Sequence, residues 1–261
     1  MGHKFVETRA KFYEEALIEY PLARKMDIKI MYQLLDPKPG EYVLGVGEGN
    51  GYFFEAIAEA IGTRGKYLVT DPSQELLKKI KSNKYFSQVD VWREEAENLK
   101  LAPESYDKAW SFGAFHHLKN QSQAIKNIYN SLVSGGLVVV CDVFQGSALA
   151  RFFDLQVNQY CETGHEVKFL SREFAKSICY VAGFNQENVS IFHLPQKWYF
   201  DSEIELGRFV YKLLAMTKLP GEEKEKVRKV VELCKEYLGV SYNQKQYELN
   251  WPMEALVARK C

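Results

Sequence analysis

Three glycines at alternating positions, Gly47, Gly49 and Gly51, follow the short apolar segment Tyr42–Leu44. Glycine lets a backbone come close to a ligand, and a helix that begins directly afterwards offers free N–H groups to an anionic group. The loop does not fit the G-x-G-x-x-G pattern of dinucleotide-binding turns, because the third glycine is missing in every register. It also lacks the G-K-[ST] of a triphosphate loop. The spacing matches G-x-G-x-G instead.

This loop resembles the first motif of the class I S-adenosylmethionine-dependent methyltransferases. The family pattern V-L-[D/E]-x-G-x-G-x-G aligns with Val43–Gly51. Later segments resemble further family motifs in the same order, and together they cover about residues 38–195, three-fifths of the chain. The resemblance implies S-adenosylmethionine as the cofactor. The later segments are Asp71-Pro72, Glu95–Leu99, Ser105–Trp110, Phe115–Leu118, Leu132–Leu137 and Ala182–Phe184.

The resemblance assigns cofactor contacts to residues that follow successive strands. Asp71 stands where the family places an acidic residue on the ribose hydroxyls, and a carboxylate can accept two hydrogen bonds from a diol. By the same likeness Pro72 would pack along the adenine. Glu95 would accept a hydrogen bond from the adenine amino group, with the Ala96 N–H nearby. The expected cofactor-binding set is Gly45, Gly47, Gly49, Gly51, Asp71, Pro72, Glu95, Ala96 and Phe112.

One position departs from the family pattern. Gly45 stands where the family has an acidic residue that helps to hold the amino end of the cofactor's methionine. Its loss removes one charge-assisted contact, on the order of 1.5–3 kcal/mol. Either another group or water takes over and the enzyme is active, or cofactor binding is weakened and catalysis is impaired. The intact Asp71, Glu95 and remaining glycines favour activity.

Methyl transfer from a sulfonium is an in-line displacement, so alignment of the acceptor carries much of the rate. A general base is needed only when the acceptor is protonated at neutral pH. His116 and His117 lie just past the fourth predicted strand, and a histidine suits that role. The alternative is that the pair is structural, with its rings hydrogen-bonded to nearby backbone. His165 is a third candidate.

The acceptor pocket is expected from segments outside the core sheet. The aromatic share is high, at 14%, and many rings fall in the N-terminal helix, in residues 152–165 and in residues 198–200. Apolar pockets with few polar groups suit small organic acceptors. The predicted substrate contacts are Tyr13, Phe115 and His165.

The predicted function is therefore methyl transfer to a small organic acceptor. Two alternatives stay open: an RNA or protein methyltransferase, and a non-catalytic methyltransferase-like binding subunit, which Gly45 would explain. The 34 Lys and Arg residues balance the 34 Asp and Glu residues. That balance disfavours a dedicated nucleic-acid partner, because such binders are normally basic overall. The oligomeric state is left open.

The candidate site residues follow successive predicted strands, so they can lie together only if one sheet places the ends of those strands side by side. Strands alternate with helices between residues 42 and 143, which predicts βαβ units and an α/β, doubly wound, mainly parallel sheet with helices on both faces. Predicted elements include strands over Lys66–Thr70, Tyr106–Phe112 and Leu137–Val143, a break at Ser134–Gly136, and a helix over residues 73–82.

With the resemblance, the fold expected is a single Rossmann-like domain with a seven-stranded sheet. Residues 1–37 form an N-terminal helical cap, residues 38–145 the cofactor-binding core, and residues 146–261 the acceptor-side half. Two helices over about residues 201–240 form an insertion before a last strand, Ala255–Arg259.

Compartment and metal content follow from the cysteines and the apolar runs. The five cysteines are scattered and none forms C-x-x-C, which fits a reducing, cytoplasmic location. Cys161 and His165 form a lone C-x3-H pair without a second pair, so no metal is predicted. The chain has no apolar run of 18 residues and no signal-peptide pattern, so neither a membrane span nor a signal peptide is predicted.

Overall fold

The structure, a computed structural model, describes residues 7–78, 80, 88–165 and 167–261. The described chain divides into two compact units. The first, called the sheet unit below, comprises residues 28–145, 167–193 and 254–261. The second, called the helical unit, comprises the described parts of residues 1–27, 146–166 and 194–253. The assignment of the whole chain to one domain, with boundaries near residues 37 and 145, stays a prediction.

Strands alternate with helical segments between residues 42 and 142, as the sequence predicts, although the third and fourth strands are joined through a 3-10 turn, Ala96–Asn98. The helices are α1 (Glu7–Glu19), α2 (Lys25–Leu35), α3 (Phe54–Ile61), α4 (Gln74–Leu77), α5 (Gln121–Ser131), α6 (Ala148–Phe152), α7 (Asn158–Tyr160), α8 (Arg172–Ala182), α9 (Glu203–Leu213) and α10 (Glu223–Tyr237). The strands are β1 (Tyr42–Val46), β2 (Lys66–Thr70), β3 (Val89–Trp92), β4 (Tyr106–Phe112), β5 (Leu132–Asp142), β6 (Val189–Leu194), β7 (Lys197–Phe200), β8 (Val240–Tyr242), β9 (Tyr247–Asn250) and β10 (Met253–Arg259). The helix predicted over 73–82 begins one residue later, and its residues 79, 81 and 82 lie outside the described residues.

Seven strands form one sheet in the order β3-β2-β1-β4-β5-β10-β6. The first five strands of this order, from β3 to β5, pair with one another in parallel, and β10 is antiparallel to β5. In β1 and β2 every residue after the first is buried, as expected when both faces of a sheet are covered. The predicted Rossmann-like, mainly parallel, seven-stranded fold is confirmed.

Strand β5 begins earlier than the sequence predicts. The break expected at Ser134–Gly136 is wrong, because β5 runs without interruption from Leu132 to Asp142. Its register against β4 shifts, so that Tyr106 pairs with Leu132 and Lys108 with Leu137. A bulge of this kind absorbs extra residues without ending the strand. Gly135 takes a φ of +79° there.

Close packing in the core of the sheet unit holds the ends of the strands in position. Helix α5 is capped by the side chain of Asn120, which accepts a hydrogen bond from the Gln123 N–H. It buries Ala124, Ile125 and Ile128 against the sheet, within one cluster that also holds side chains of β1, β4, β5 and α8. Because close-packed side chains leave little freedom, the loops that follow the strands start from fixed positions.

The helical unit contains a second sheet, of three antiparallel strands in the order β7-β9-β8, which the sequence does not predict. The two helices predicted over about residues 201–240 are confirmed as α9 and α10. Between α6 and α7 the chain makes a π-helical turn over Phe153–Val157. Within the described residues, no helix has both the length and the apolar character that crossing a membrane requires.

Many aromatic rings of the helical unit pack against one another. Trp198 stacks on Trp251 with ring centroids 3.9 Å apart, and it meets Phe209 edge to face at 5.4 Å. The indole N–H of Trp198 donates to the buried carboxylate of Asp27, which also accepts from Arg24 at 2.6 Å. Burial raises the pKa of Asp27, and the Arg24 guanidinium opposes that rise. These rings therefore have a packing role, which accounts for part of the high aromatic content.

Candidate functional site

The glycine loop joins β1 to α3 in a conformation that side chains rarely adopt. Gly47, Gly49 and Gly51 have φ values of +71°, +62° and +81°. The N–H groups of Gly47 and Glu48 both donate to the carbonyl oxygen of Thr70, at 2.8 and 3.2 Å, so the loop is tied to the end of β2. A Cβ on Gly47 would lie 2.5 Å from the Cβ of Ala114. The space beside Gly47 is therefore filled by Ala114, and a side chain at position 47 would fit only if Ala114 moved.

Replacement of Gly47 by Ala is expected to destabilise the fold more than replacement of Gly40. Both glycines have positive φ, which costs a side chain roughly 1–2 kcal/mol. At Gly40 a Cβ would meet nothing within 4 Å, whereas at Gly47 it collides with Ala114. The collision adds about 1–3 kcal/mol, as overpacking does. Urea unfolding of the two variants measures the difference, and equal losses of unfolding free energy would contradict the tight packing of the loop.

Asp71 follows β2 and is bound to the glycine loop. Its Oδ2 accepts a hydrogen bond from the Gly49 N–H at 3.0 Å, and its Oδ1 accepts one from the Ser73 N–H at 2.8 Å. The residue is buried. A carboxylate can accept about four hydrogen bonds, and it is the type of group that binds the two hydroxyls of a diol. Asp71, the residue predicted to bind the ribose, is thus held beside the loop by these two hydrogen bonds.

The other predicted cofactor residues follow the neighbouring parallel strands, whose carboxyl ends share one edge of the sheet. Glu95 follows β3 and pairs with Lys119, whose Nζ lies 2.5 Å from its Oε1. Ala96 is buried in a 3-10 turn directly after it. Pro72 is exposed, and Phe112 ends β4 with its ring 4.7 Å from that of Phe53. The sheet unit thus brings the predicted cofactor set to one edge.

His116 forms a buried pair with Asp142. The histidine lies in a 3-10 turn after β4, and Asp142 is the last residue of β5, the next strand in the sheet. The Nδ1 of His116 lies 2.5 Å from Oδ1 of Asp142, and the His116 backbone N–H donates to Oδ2 at 3.0 Å. A carboxylate only accepts, so the proton of a neutral ring sits on Nδ1 and Nε2 keeps its lone pair. Sequence reasoning found His116 but not Asp142.

The neighbours of His116 differ in their surroundings. The ring of His117 lies 4.1 Å from that of His116 and is half-buried. Phe115 is completely buried in the hydrophobic core of the sheet unit. This burial gives Phe115 a packing role, and the substrate contact assigned to it stays a prediction.

Tyr13 and His165 belong to the helical unit. The hydroxyl of Tyr13 accepts a hydrogen bond from Arg24 at 3.3 Å. His165 is buried, its backbone N–H donates to Oδ1 of Asn158 at 3.0 Å, and its ring lies 4.7 Å from that of Phe153. The substrate contacts assigned to Tyr13 and His165 stay predictions.

Sequence reasoning missed Glu48, a buried carboxyl inside the glycine loop. Its Oε2 accepts a hydrogen bond from the Tyr67 hydroxyl at 3.0 Å, and that hydroxyl accepts one from Trp110 Nε1 at 3.0 Å. Its Oε1 is buried and has no hydrogen-bond partner among the described residues. Burial, the largest cause, raises the pKa of Glu48 well above its usual range, and the negative charge of Asp71 raises it further. A Cβ at position 45 would lie 2.8 Å from Oε2, so Glu48 uses the space that Gly45 leaves.

Comparison with known proteins identifies a domain in part of the chain. Residues 44–140, which span most of β1 through most of β5, match a family described as a methyltransferase domain. These residues form a class I S-adenosylmethionine-dependent methyltransferase domain. S-adenosylmethionine is the cofactor of this domain, as the sequence motifs imply. The residues at the sheet edge fit that cofactor, because Asp71 suits a ribose diol and the unpartnered Oε1 of Glu48 suits a cationic donor.

Solved structures share the fold of the methyltransferase domain. A phosphoethanolamine N-methyltransferase of Haemonchus contortus, solved with phosphomonomethylethanolamine and S-adenosylhomocysteine, has a TM-score of 0.66 at 16% identity over 98% of this chain and 58% of that chain. A Thermotoga maritima S-adenosylmethionine-dependent methyltransferase, described as a possible histamine N-methyltransferase, has a TM-score of 0.60 at 17% identity over 97% of this chain and 98% of that one. At these identities the likeness shows the fold alone.

Among curated sequences, an uncharacterised protein of a Streptomyces fradiae transposon is 27% identical over 131 residues, which is 50% of this chain and 38% of that protein. The chain spans less than half the length of the curated relatives that it matches.

Proposed function

We propose that the protein transfers the methyl group of S-adenosylmethionine to a small organic acceptor. The observation that carries the proposal is the sheet edge, where Asp71 is fixed on the glycine loop and the His116–Asp142 pair follows the adjacent strands. When bound, the cofactor supplies a methyl group on a sulfonium, which is an electrophile with a good leaving group. The protein then has to bind it, align the acceptor and take up a proton.

In this proposal His116 is the general base. Asp142 holds the ring through Nδ1 and so fixes the tautomer in which Nε2 can accept a proton. A hydroxyl or acidic C–H acceptor would lose its proton to Nε2 as the new bond to the methyl group forms and the bond from methyl to sulfur breaks. An ammonium acceptor would lose its proton to Nε2 beforehand, because its nitrogen has no lone pair until then. Asp142 is a positioning residue, which acts by orienting the imidazole and by stabilising its charged form.

A small acceptor is supported by the net charge of the chain and by the descriptions of solved structures that share its fold. The chain has a formal charge of zero, whereas a nucleic-acid partner favours a basic protein. The Haemonchus contortus protein was solved with phosphomonomethylethanolamine, and the Thermotoga maritima protein is described as a possible histamine N-methyltransferase. A small amine or alcohol is therefore the acceptor class that we expect.

The test uses purified protein and methyl-labelled S-adenosylmethionine. It is offered a metabolite extract and, separately, RNA and protein fractions. We expect labelled small molecules from the metabolite extract, with no labelling when Asp71→Ala replaces the wild type. Label confined to RNA or protein would contradict the small acceptor and favour a macromolecular methyltransferase. No label in any fraction, from a protein that binds the cofactor, would favour a binding subunit.

A further inference from the structure

Gly45 and Glu48 form a matched pair. The Glu48 carboxylate lies so close to position 45 that any side chain there would displace it, because the Cβ would come within 2.8 Å of Oε2 and 3.1 Å of the Tyr67 hydroxyl. Gly45 lies within β1 and is not among the glycines with positive φ. Its lack of a side chain is therefore explained by space for the carboxylate and not by backbone conformation.

Only one of the two carboxyl oxygens of Glu48 has a hydrogen-bond donor among the described residues. The groups that face it are the Tyr67 hydroxyl on β2, with Trp110 on β4 behind that hydroxyl, and the negative charge of Asp71. Within the described residues, no lysine, arginine or histidine forms an ion pair with it. A buried carboxylate without a cation is costly, and proteins normally pair such a group. The unused Oε1 therefore points to a cationic hydrogen-bond donor that is absent from the chain itself.

The chemistry of the cofactor restricts which group that is. S-adenosylmethionine carries two cationic groups, a sulfonium and an α-ammonium. Only the ammonium carries N–H groups, so only the ammonium can donate to Oε1. Glu48 lies between Gly47 and Gly49, and the Gly49 N–H donates to Asp71, so Glu48 belongs to the same end of the sheet as the predicted ribose-binding carboxylate.

We propose that Glu48 binds the α-ammonium group of the cofactor through Oε1, and that it thereby supplies the carboxylate that Gly45 cannot. This inference rests on the proposed cofactor binding. The role is one of binding and positioning, because Glu48 takes no part in the transfer of the methyl group.

Two ligands separate this role from a purely structural one. S-adenosylhomocysteine has the ammonium, whereas 5′-methylthioadenosine shares the adenosine and the thioether but lacks the amino acid. Calorimetric titration of Glu48→Gln is expected to show a 10- to 100-fold loss of affinity for S-adenosylhomocysteine, roughly the effect of one charged hydrogen bond. The affinity for 5′-methylthioadenosine should stay within about threefold of wild type, by the same contact argument. Glu59→Gln, a matched change of an exposed carboxylate on α3, should leave both affinities unchanged.

Proton release provides a readout that does not depend on the size of the affinity change. Because burial favours the protonated form of Glu48, binding of a cation should ionise it and release a proton. The wild-type affinity for S-adenosylhomocysteine should therefore rise as the pH is raised above the usual range of a glutamate pKa, with a binding heat that depends on the buffer. The pH dependence should be smaller in Glu48→Gln. Moving the carboxylate back, in Gly45→Asp/Glu48→Ala, should restore affinity that Glu48→Ala alone loses.

Each outcome decides the matter. If wild type binds S-adenosylhomocysteine and Glu48→Gln binds it equally well, or loses both ligands to the same extent, the ammonium assignment is overturned while the cofactor proposal stands. If wild type binds neither ligand, both proposals are overturned.

Discussion

Replacement of Asp71 by Ala is expected to weaken binding of S-adenosylhomocysteine by about 100-fold or more. The carboxylate accepts hydrogen bonds from Gly49 and Ser73, and it would also accept the ribose hydroxyls in the proposed complex. Two charge-assisted hydrogen bonds contribute about 3 kcal/mol or more together, and about 1.4 kcal/mol corresponds to tenfold in affinity. The variant also loses the hydrogen bond from the Gly49 N–H, which holds the glycine loop in place. It therefore loses both the contact with the ribose and the conformation of the loop.

The control for this change is Asp90→Ala, which removes an exposed carboxylate from the neighbouring strand β3. It should bind S-adenosylhomocysteine as the wild type does. Circular dichroism and urea unfolding of both variants separate a loss of binding from a loss of fold. Wild-type affinity in a folded Asp71→Ala protein would place the cofactor elsewhere.

Replacement of His116 by Gln is expected to lower kcat by about 10²–10⁴, the range in which general bases contribute. Glutamine keeps much of the volume of the ring but cannot take up the proton. Cofactor affinity should change little, because the proposed role of His116 is in the transfer step and not in binding. The measurement combines initial rates on an acceptor found by labelling with calorimetry of S-adenosylhomocysteine.

Two further variants test the pair rather than the single residue. Asp142→Asn removes the carboxylate that lies 2.5 Å from Nδ1, and it should lower kcat in the same direction as His116→Gln. The double variant should be little slower than His116→Gln alone, since both changes remove one unit. His117→Gln is the adjacent control and should keep most of the rate. A large loss in His117→Gln with none in His116→Gln would overturn the assignment of the base.

The sheet could be predicted closely where burial leaves a clear pattern. Strands such as β2 and β4 lie between turn residues and are buried over most of their length, and their bounds match the prediction to the residue. The three-stranded sheet was missed because its strands are three or four residues long. Its best-buried strand, Lys197–Phe200, has a short alternating pattern that periodicity cannot distinguish from a loop.

Some residues of the candidate site could be predicted from the sequence and others could not. Asp71 and His116 carry local signals, since each comes directly after a predicted strand. Asp142 has no such signal, because it meets His116 only through the pairing of β4 with β5, 26 residues apart in sequence. Glu48 was missed for a different reason. Its signal was the missing side chain at Gly45, and the space that an absent side chain leaves can be measured only in three dimensions.

The most direct test of the central claim is a calorimetric titration of the wild-type protein with S-adenosylhomocysteine. The geometry of the glycine loop, Asp71 and Glu48 predicts one binding site per chain, lost or strongly weakened in Asp71→Ala. Absence of binding at millimolar concentrations of the ligand would contradict the proposed function, and it would leave a methyltransferase domain that serves as a binding subunit without catalysis.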